Sequence, residues 1–210
     1  CLLSRGLGDV YKRQGNGSAN NIQQYQVQWP NVKGIFITHM HSDHMADLPD
    51  AHLLSWIQGR NAPLKVYGPE GINLVTKGFE LAYSADYQYR NEHHGDEMLP
   101  LSVSGYDAIT IKGGQVIENE TPGLEILSFA VNHQPVNHAF GFKVTYKDRS
   151  IVISGDTIND GSVQKYAQDV DLLIHSAISI DLVERIRKIS PIPQLDKILL
   201  DIQDLSLIHI

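Results

Sequence analysis

Three histidines and an aspartate stand within six residues, His39-Met40-His41-Ser42-Asp43-His44. No other stretch constrains the chain as much, because four side chains able to bind a cation must leave one short turn. The run before it, Val32-Lys33-Gly34-Ile35-Phe36-Ile37, is β-branched and aromatic and reads as a strand buried on both faces. After it, residues 45–57 carry apolar side chains at Leu48, Leu53, Leu54 and Ile57 and stop before Gly59, which predicts a helix. The cluster therefore falls on a strand-to-helix turn at a strand's carboxyl end, where open α/β sheets bind their ligands. Imidazole nitrogens and a carboxylate oxygen suit a borderline-soft cation such as zinc. His39 and His41 alternate and converge on one ion, and the adjacent pair Asp43-His44 faces a second. A polar histidine-rich loop without metal is the alternative, and ligand spacing argues against it.

His39-x-His41-x-Asp43-His44 behind a buried strand resembles the signature of the metallo-β-lactamase-fold hydrolases. Pro63-Leu64-Lys65-Val66-Tyr67-Gly68-Pro69-Glu70-Gly71 narrows the match. It resembles the ribonuclease Z and arylsulfatase-like branch, in which such a segment follows the first metal motif. The resemblance covers residues 15–204. It implies a mixed α+β / α/β fold, the metallo-β-lactamase four-layer αββα sandwich, truncated at both ends. Residues 1–14 and 205–210 resemble translated sequencing-adapter read-through and are expected to be non-native ends. On that expectation the histidine that completes the second metal site in the family lies beyond the chain, as does the leaving-group acid, and His209 is not carried over as either.

A length of 210 residues suits one domain with a real core, and 42% hydrophobic and 20% charged residues are ordinary for a globular chain. The apolar runs are of strand length, so no membrane span is expected. The only cysteine, Cys1, leaves no disulfide framework or thiolate metal site. Ten histidines are a surplus that fits metal binding. The formal net charge of −7 disfavours nucleic acid as a partner. Family relatives also carry a basic tRNA-gripping arm, which this sequence does not match.

Between these landmarks, residues 21–29 predict a short helix ended by Pro30 and Asn31, residues 64–67 a strand, and residues 71–89 a second long helix. Residues 89–95, Tyr-Arg-Asn-Glu-His-His-Gly, have no period and read as a loop. His93 and His94 there contact substrate or metal, or belong to a solvated surface. From Ala108 the pattern becomes a meander of short strands, at 109–111, 115–118, 124–131, 140–146 and 150–154, punctuated by turn residues. A further buried strand at 171–176 and an amphipathic helix at 182–189 follow, with Leu195 starting a last element.

The remaining metal residues come from the resemblance. His133 ends a strand before Gln134-Pro135-Val136 and matches the histidine that completes the first site. Asp156, in Gly155-Asp156-Thr157 behind the strand 150–154, matches the bridging carboxylate; capping of a helix after Gly161 is its alternative role. His138 and His175 are candidates for contact with substrate or with the metal ligands. Family relatives often have His-Glu at the latter position, where this chain has His175-Ser176.

The implied chemistry is that of a two-zinc hydrolase, with Mn2+ or Fe2+ as alternative ions. His39, His41 and His133 hold one ion, and Asp43, His44 and a residue outside the chain hold the other. Asp156 bridges, and Asp43 and Asp156 are the catalytic carboxylates around a metal-bridging hydroxide. A small phosphodiester or sulfate ester is the first substrate expectation. A lactone or thioester is an alternative, as are a tRNA 3′-end endonuclease and a non-catalytic metal-binding fragment. Homodimerisation accompanies the resemblance.

Overall fold

The computed structural model describes residues 17–204 apart from 26, 178 and 190, so the expected foreign ends lie outside the described residues. The chain divides into two compact units, Cys1–Ile111 and Lys112–Ile210, each built on its own sheet.

In the first unit, helix α1 (Ser18–Gln24) and a 3-10 turn (Trp29–Asn31) lead into strand β1 (Ile35–Phe36). Pro30 does not end a helix, as the sequence predicts, but sits inside the 3-10 turn, whose first residues need no amide donor. β1 pairs parallel with β2 (Leu64–Gly68), which pairs parallel with β3 (Tyr106–Thr110), in the order β1-β2-β3. Strand β3 was expected to open the meander; it lies instead beside β2, because Leu64 registers with Tyr106 and Gly68 with Thr110. Sheet membership is a long-range property that local pattern does not carry. Ile35, Ile37, Leu64 and Val66 bury their side chains with Ala19, Ile22, Trp29, Leu48, Ala51 and Ile72. Gly34 precedes β1 because a Cβ there would lie 2.8 Å from the Tyr67 ring. That ring stacks on Phe36 with centroids 4.5 Å apart.

The helix predicted over 45–57 is two helices, α2 (Ser42–Met45) and α3 (Leu48–Ile57). Pro49 in the first turn of α3 forces the break, since it has no amide to donate to the carbonyl four residues back, at Met45, and its ring crowds that carbonyl. The helix predicted over 71–89 is also divided, into α4 (Ile72–Ala82) and α5 (Ser84–His94). Helix α5 continues through residues 89–94, where the sequence reads as a loop. It buries only Tyr87, so no apolar period announces it. The Asp86–Arg90 pair at 2.8 Å, two histidines in the last turn and Gly95 beyond it supply its stability and its stop.

Helix α3 also buries His52. Its Nε2 lies 2.7 Å from the Ser104 carbonyl, so this nitrogen donates, and its Nδ1 accepts from the Tyr87 hydroxyl at 3.3 Å. Burial, with the nearby Arg60 guanidinium, pushes the imidazole pKa from 6.5 down to about 4. The sequence gives no sign of this role.

The second unit is a five-stranded sheet in the order β4-β5-β6-β7-β8, formed by Val116–Ile117, Leu124–His133, Val136–Tyr146, Arg149–Ile153 and Leu172–Ile174. Neighbours are antiparallel except β7 and β8, which run parallel. Helix α6 (Ser162–Tyr166) packs Val163 against Phe129 and Val152, and Tyr166 stacks on the Phe129 ring at 4.3 Å. The Phe129 ring occupies the space that a Cβ on Gly141 of the paired strand would need. Helices α7 (Ile180–Ile189) and α8 (Pro193–Asp204) complete the unit, joined by Arg187 donating from Nε to Asp196 at 2.6 Å. Pro193 starts α8, two residues before the Leu195 at which the sequence places that element.

Two outcomes follow. Gly141→Ala displaces the Phe129 ring and lowers stability by about 1–3 kcal/mol in urea unfolding; pairing it with Phe129→Leu recovers part of that loss. For His52 the folded pKa lies below the unfolded one, so its stabilising effect is present above pH 6.5 and is lost as the pH falls toward about 4. The loss amounts to about 3 kcal/mol, and His52→Gln flattens the acid-side decline of the urea midpoint by about that amount.

Candidate metal centre

The first unit gathers the four residues of the histidine motif around the end of β1. The Ile37 amide donates to the Tyr67 carbonyl at 2.8 Å, one rung past the strand, and the chain then turns out of the sheet. His39 is fully buried just beyond that rung, and Thr38 Oγ1 lies 3.1 Å from its Nδ1. His39 Nε2 sits 3.0 Å from His41 Nδ1, with the rings edge to face at 78°. Two ring nitrogens so close require a proton or a cation between them. Nitrogens on a tetrahedral zinc, each at about 2.0–2.1 Å, stand about 3.3 Å apart, so this pair is close to chelating separation. His44 lies on α2 with its ring centroid 4.1 Å from that of His39. Asp43, also on α2, brings a carboxylate oxygen to 3.6 Å from His44 Nε2. The donors are imidazole nitrogen and carboxylate oxygen, with His39 buried and His41 exposed. That set fits a zinc-like ion open to solvent on one side.

Asp47 anchors the motif from behind. Its carboxylate accepts from Ser18 Oγ at 3.1 Å and from the Ala19 amide at 3.0 Å, tying the start of α1 to the turn between α2 and α3. Sequence reading missed it, because its partners lie 28 and 29 positions away.

In the second unit, His133 is the last residue of β5 and is buried, with Val136 opposite it across the tight turn at Gln134-Pro135. The β5–β6 register shifts between Val131 and His133, leaving Asn132 in an irregular rung. The Asn132 carbonyl accepts twice from the loop after β7, from Thr157 Oγ1 at 3.1 Å and from the Ile158 amide at 2.9 Å. The residue after Asp156 is therefore bound to the residue before His133. Asp160 accepts from the Ser162 amide at the start of α6, so that helix has a side-chain acceptor nearer in sequence than Asp156. The fixed point, a backbone carbonyl, has no signature in the sequence.

The other histidines take different positions. His93 and His94 are exposed in the last turn of α5, edge to face with each other at 4.6 Å, and not in a loop. His138 is exposed on β6 with φ of 61°, an unusual backbone for a residue other than glycine. His175 follows β8; its Nδ1 is 2.5 Å from the Ser176 carbonyl, and its Nε2 is shielded from solvent without a hydrogen-bond partner among the described residues.

A histidine-rich turn leaving a parallel sheet, followed by a mixed sheet carrying a histidine and an aspartate at strand ends, defines a metallo-β-lactamase fold. The chain belongs to the beta-lactamase superfamily, whose domain model matches residues 13–202. It is 30% identical over 177 residues to the ribonuclease Z of Mycobacterium bovis (strain BCG / Pasteur 1173P2), covering 82% of this chain and 61% of that one. The chain thus spans less than two thirds of that relative. Among solved structures, human tRNase Z, short form, aligns with a TM-score of 0.58 at 20% identity over 90% of this chain and 75% of that one. The metallo-beta-lactamase fold protein YhfI from Bacillus subtilis aligns with a TM-score of 0.55 at 16% identity, over 80% and 59%. At such identities these two likenesses speak for the fold alone.

One outcome tests the anchor behind the motif. Asp47→Ala takes the carboxylate acceptor from the buried Ala19 amide and removes one partner of the Ser18 hydroxyl, and lowers the unfolding free energy by about 1–3 kcal/mol in urea titration.

Proposed function

We propose that this chain is the metal-binding part of a hydrolase that cleaves RNA phosphodiesters, of the kind that trims the 3′ end of precursor tRNA. The observation carrying the reading is the 30% identity to a protein named ribonuclease Z, over 82% of this chain. It reverses the order expected from the sequence, in which small esters stand first and nucleic acid is disfavoured. The net charge of −7 is an average over the chain. Phosphate recognition depends instead on the few cations that face the substrate.

In this reading His39, His41 and His133 hold one ion, and Asp43 and His44 hold a second, with Asp156 shared between them. The nitrogen and oxygen donors suit zinc, and Mn2+ or Fe2+ suit the same set less well. When bound, such a pair of cations acidifies a water and draws charge from the scissile phosphate. The chain's own part is orientation. Thr38 on His39 Nδ1 fixes which nitrogen His39 turns to the ion. Asp43 accepts a hydrogen bond from the attacking water and aims it.

A second reading, a small phosphodiester or sulfate ester as substrate, rests on the resemblance of the segment Pro63 to Gly71 to the arylsulfatase-like branch.

The test uses zinc-loaded protein on a precursor tRNA with a 3′ trailer, beside a chromogenic phosphodiester, a sulfate ester and a lactone. Trailer removal that chelator abolishes and zinc restores, and that His39→Ala lowers at least about 100-fold, is the expected result. Turnover of the sulfate ester or lactone with intact RNA overturns it. Zinc at about 1,000 times its Kd should also stabilise the parent by about 4 kcal/mol, and His39→Ala should lack that gain.

A further inference from the structure

Parallel strands β7 and β8 end level with each other, Ile153 beside Ile174, and the Ser154 amide donates to the Ile174 carbonyl at 3.0 Å as one further rung. Just past that rung the two segments remain joined by serines. The Ser176 amide donates to Ser154 Oγ at 3.2 Å. Ser154 Oγ and Ser176 Oγ both donate to the Gly155 carbonyl, at 2.6 and 3.2 Å. That carbonyl shares a planar peptide unit with the amide of Asp156. Two hydroxyls from two segments of the chain therefore fix the plane through which the backbone enters Asp156. Gly155 itself turns there with φ of 64°, a left-handed conformation that leaves the next residue's direction open unless something holds it. On the other side, Thr157 is bound to Asn132, so the backbone is tied both before and after Asp156.

We propose that Ser176 is a positioning residue for Asp156, setting the direction of that carboxylate toward a cation. The inference rests on the reading of Asp156 as a metal ligand. Ser176 is half-buried and lies outside the apolar cluster of its unit. One hydrogen bond fewer therefore costs the fold little. A misdirected ligand costs far more in affinity: loss of a group that orients a metal ligand weakens binding about 10- to 100-fold.

Cobalt titration of the metal-stripped protein, read by its d–d absorption and by competition with a chelator, tests this in Asp156→Asn, Ser176→Ala, Ser176→Thr and Ser154→Ala. The expected result is that Ser176→Ala weakens the same cobalt ion that Asp156→Asn weakens, about 10- to 100-fold. Ser176→Thr, which keeps the hydroxyl, recovers the affinity, and the metal-free Tm stays within a few degrees. Ser154→Ala removes the other hydroxyl from the same carbonyl and gives the same direction of change, which serves if Ser176→Ala does not fold. Weakened binding in Asp156→Asn with parental affinity in Ser176→Ala overturns the role of Ser176 and leaves Asp156 a ligand. Parental affinity in Asp156→Asn overturns the ligand reading and this inference with it. An affinity loss that threonine does not recover, matched by a fall in the metal-free Tm, assigns the serine to the fold alone and also overturns the proposal.

Discussion

The last rung of the β1–β2 ladder, from the Ile37 amide to the Tyr67 carbonyl, governs what the first unit can do. A parallel pair sends both carboxyl ends to the same edge of the sheet, so the loops that follow them start from one side. Thr38 and His39 leave at that point, and both are buried. His41 and the one-turn helix α2 then come back to it within a few residues. Four potential ligands converge without any long-range chain path, because the end of the strand fixes their origin.

The second unit repeats this device. Strands β7 and β8 are its only parallel neighbours among the described residues, and the loop with Asp156 leaves from their common end. His133 arrives by another route, at the tip of the hairpin between β5 and β6, where an irregular rung frees the Asn132 carbonyl to hold that loop. Rigidity here comes from backbone acceptors bound by small hydroxyl side chains. Such contacts are short and demand little space, so they leave the ligating side chains unobstructed.

How legible this was in the sequence differs from element to element. The strand before His39 and the strand before Asp156 are continuous apolar runs, and their ends are marked by the motifs themselves. His133 could be put at a strand end for the same reason. The second half of helix α5 was not legible, because a helix burying one side chain, Tyr87, has little apolar period to detect. Pro49 divided one predicted helix within its first turn, a local effect that a longer apolar period masked. The placement of β3 and the burial of His52 depend on partners tens of residues away. So do the ties from Asp47, Ser176 and Thr157, three of which end on backbone atoms that every residue possesses. Identity was visible where chemistry is unusual, as in the histidine motif, and invisible where ordinary residues act through common groups.

The bond from Asp47 to the start of α1 has a consequence for local motion. The Ala19 amide is protected from exchange with solvent only while the Asp47 carboxylate stays in place, 28 positions away in sequence. Any opening of the turn between α2 and α3 exposes that amide, so the helix terminus and the turn share one opening free energy. Deuterium uptake at Ala19 is therefore a remote gauge of how often the histidine loop breathes.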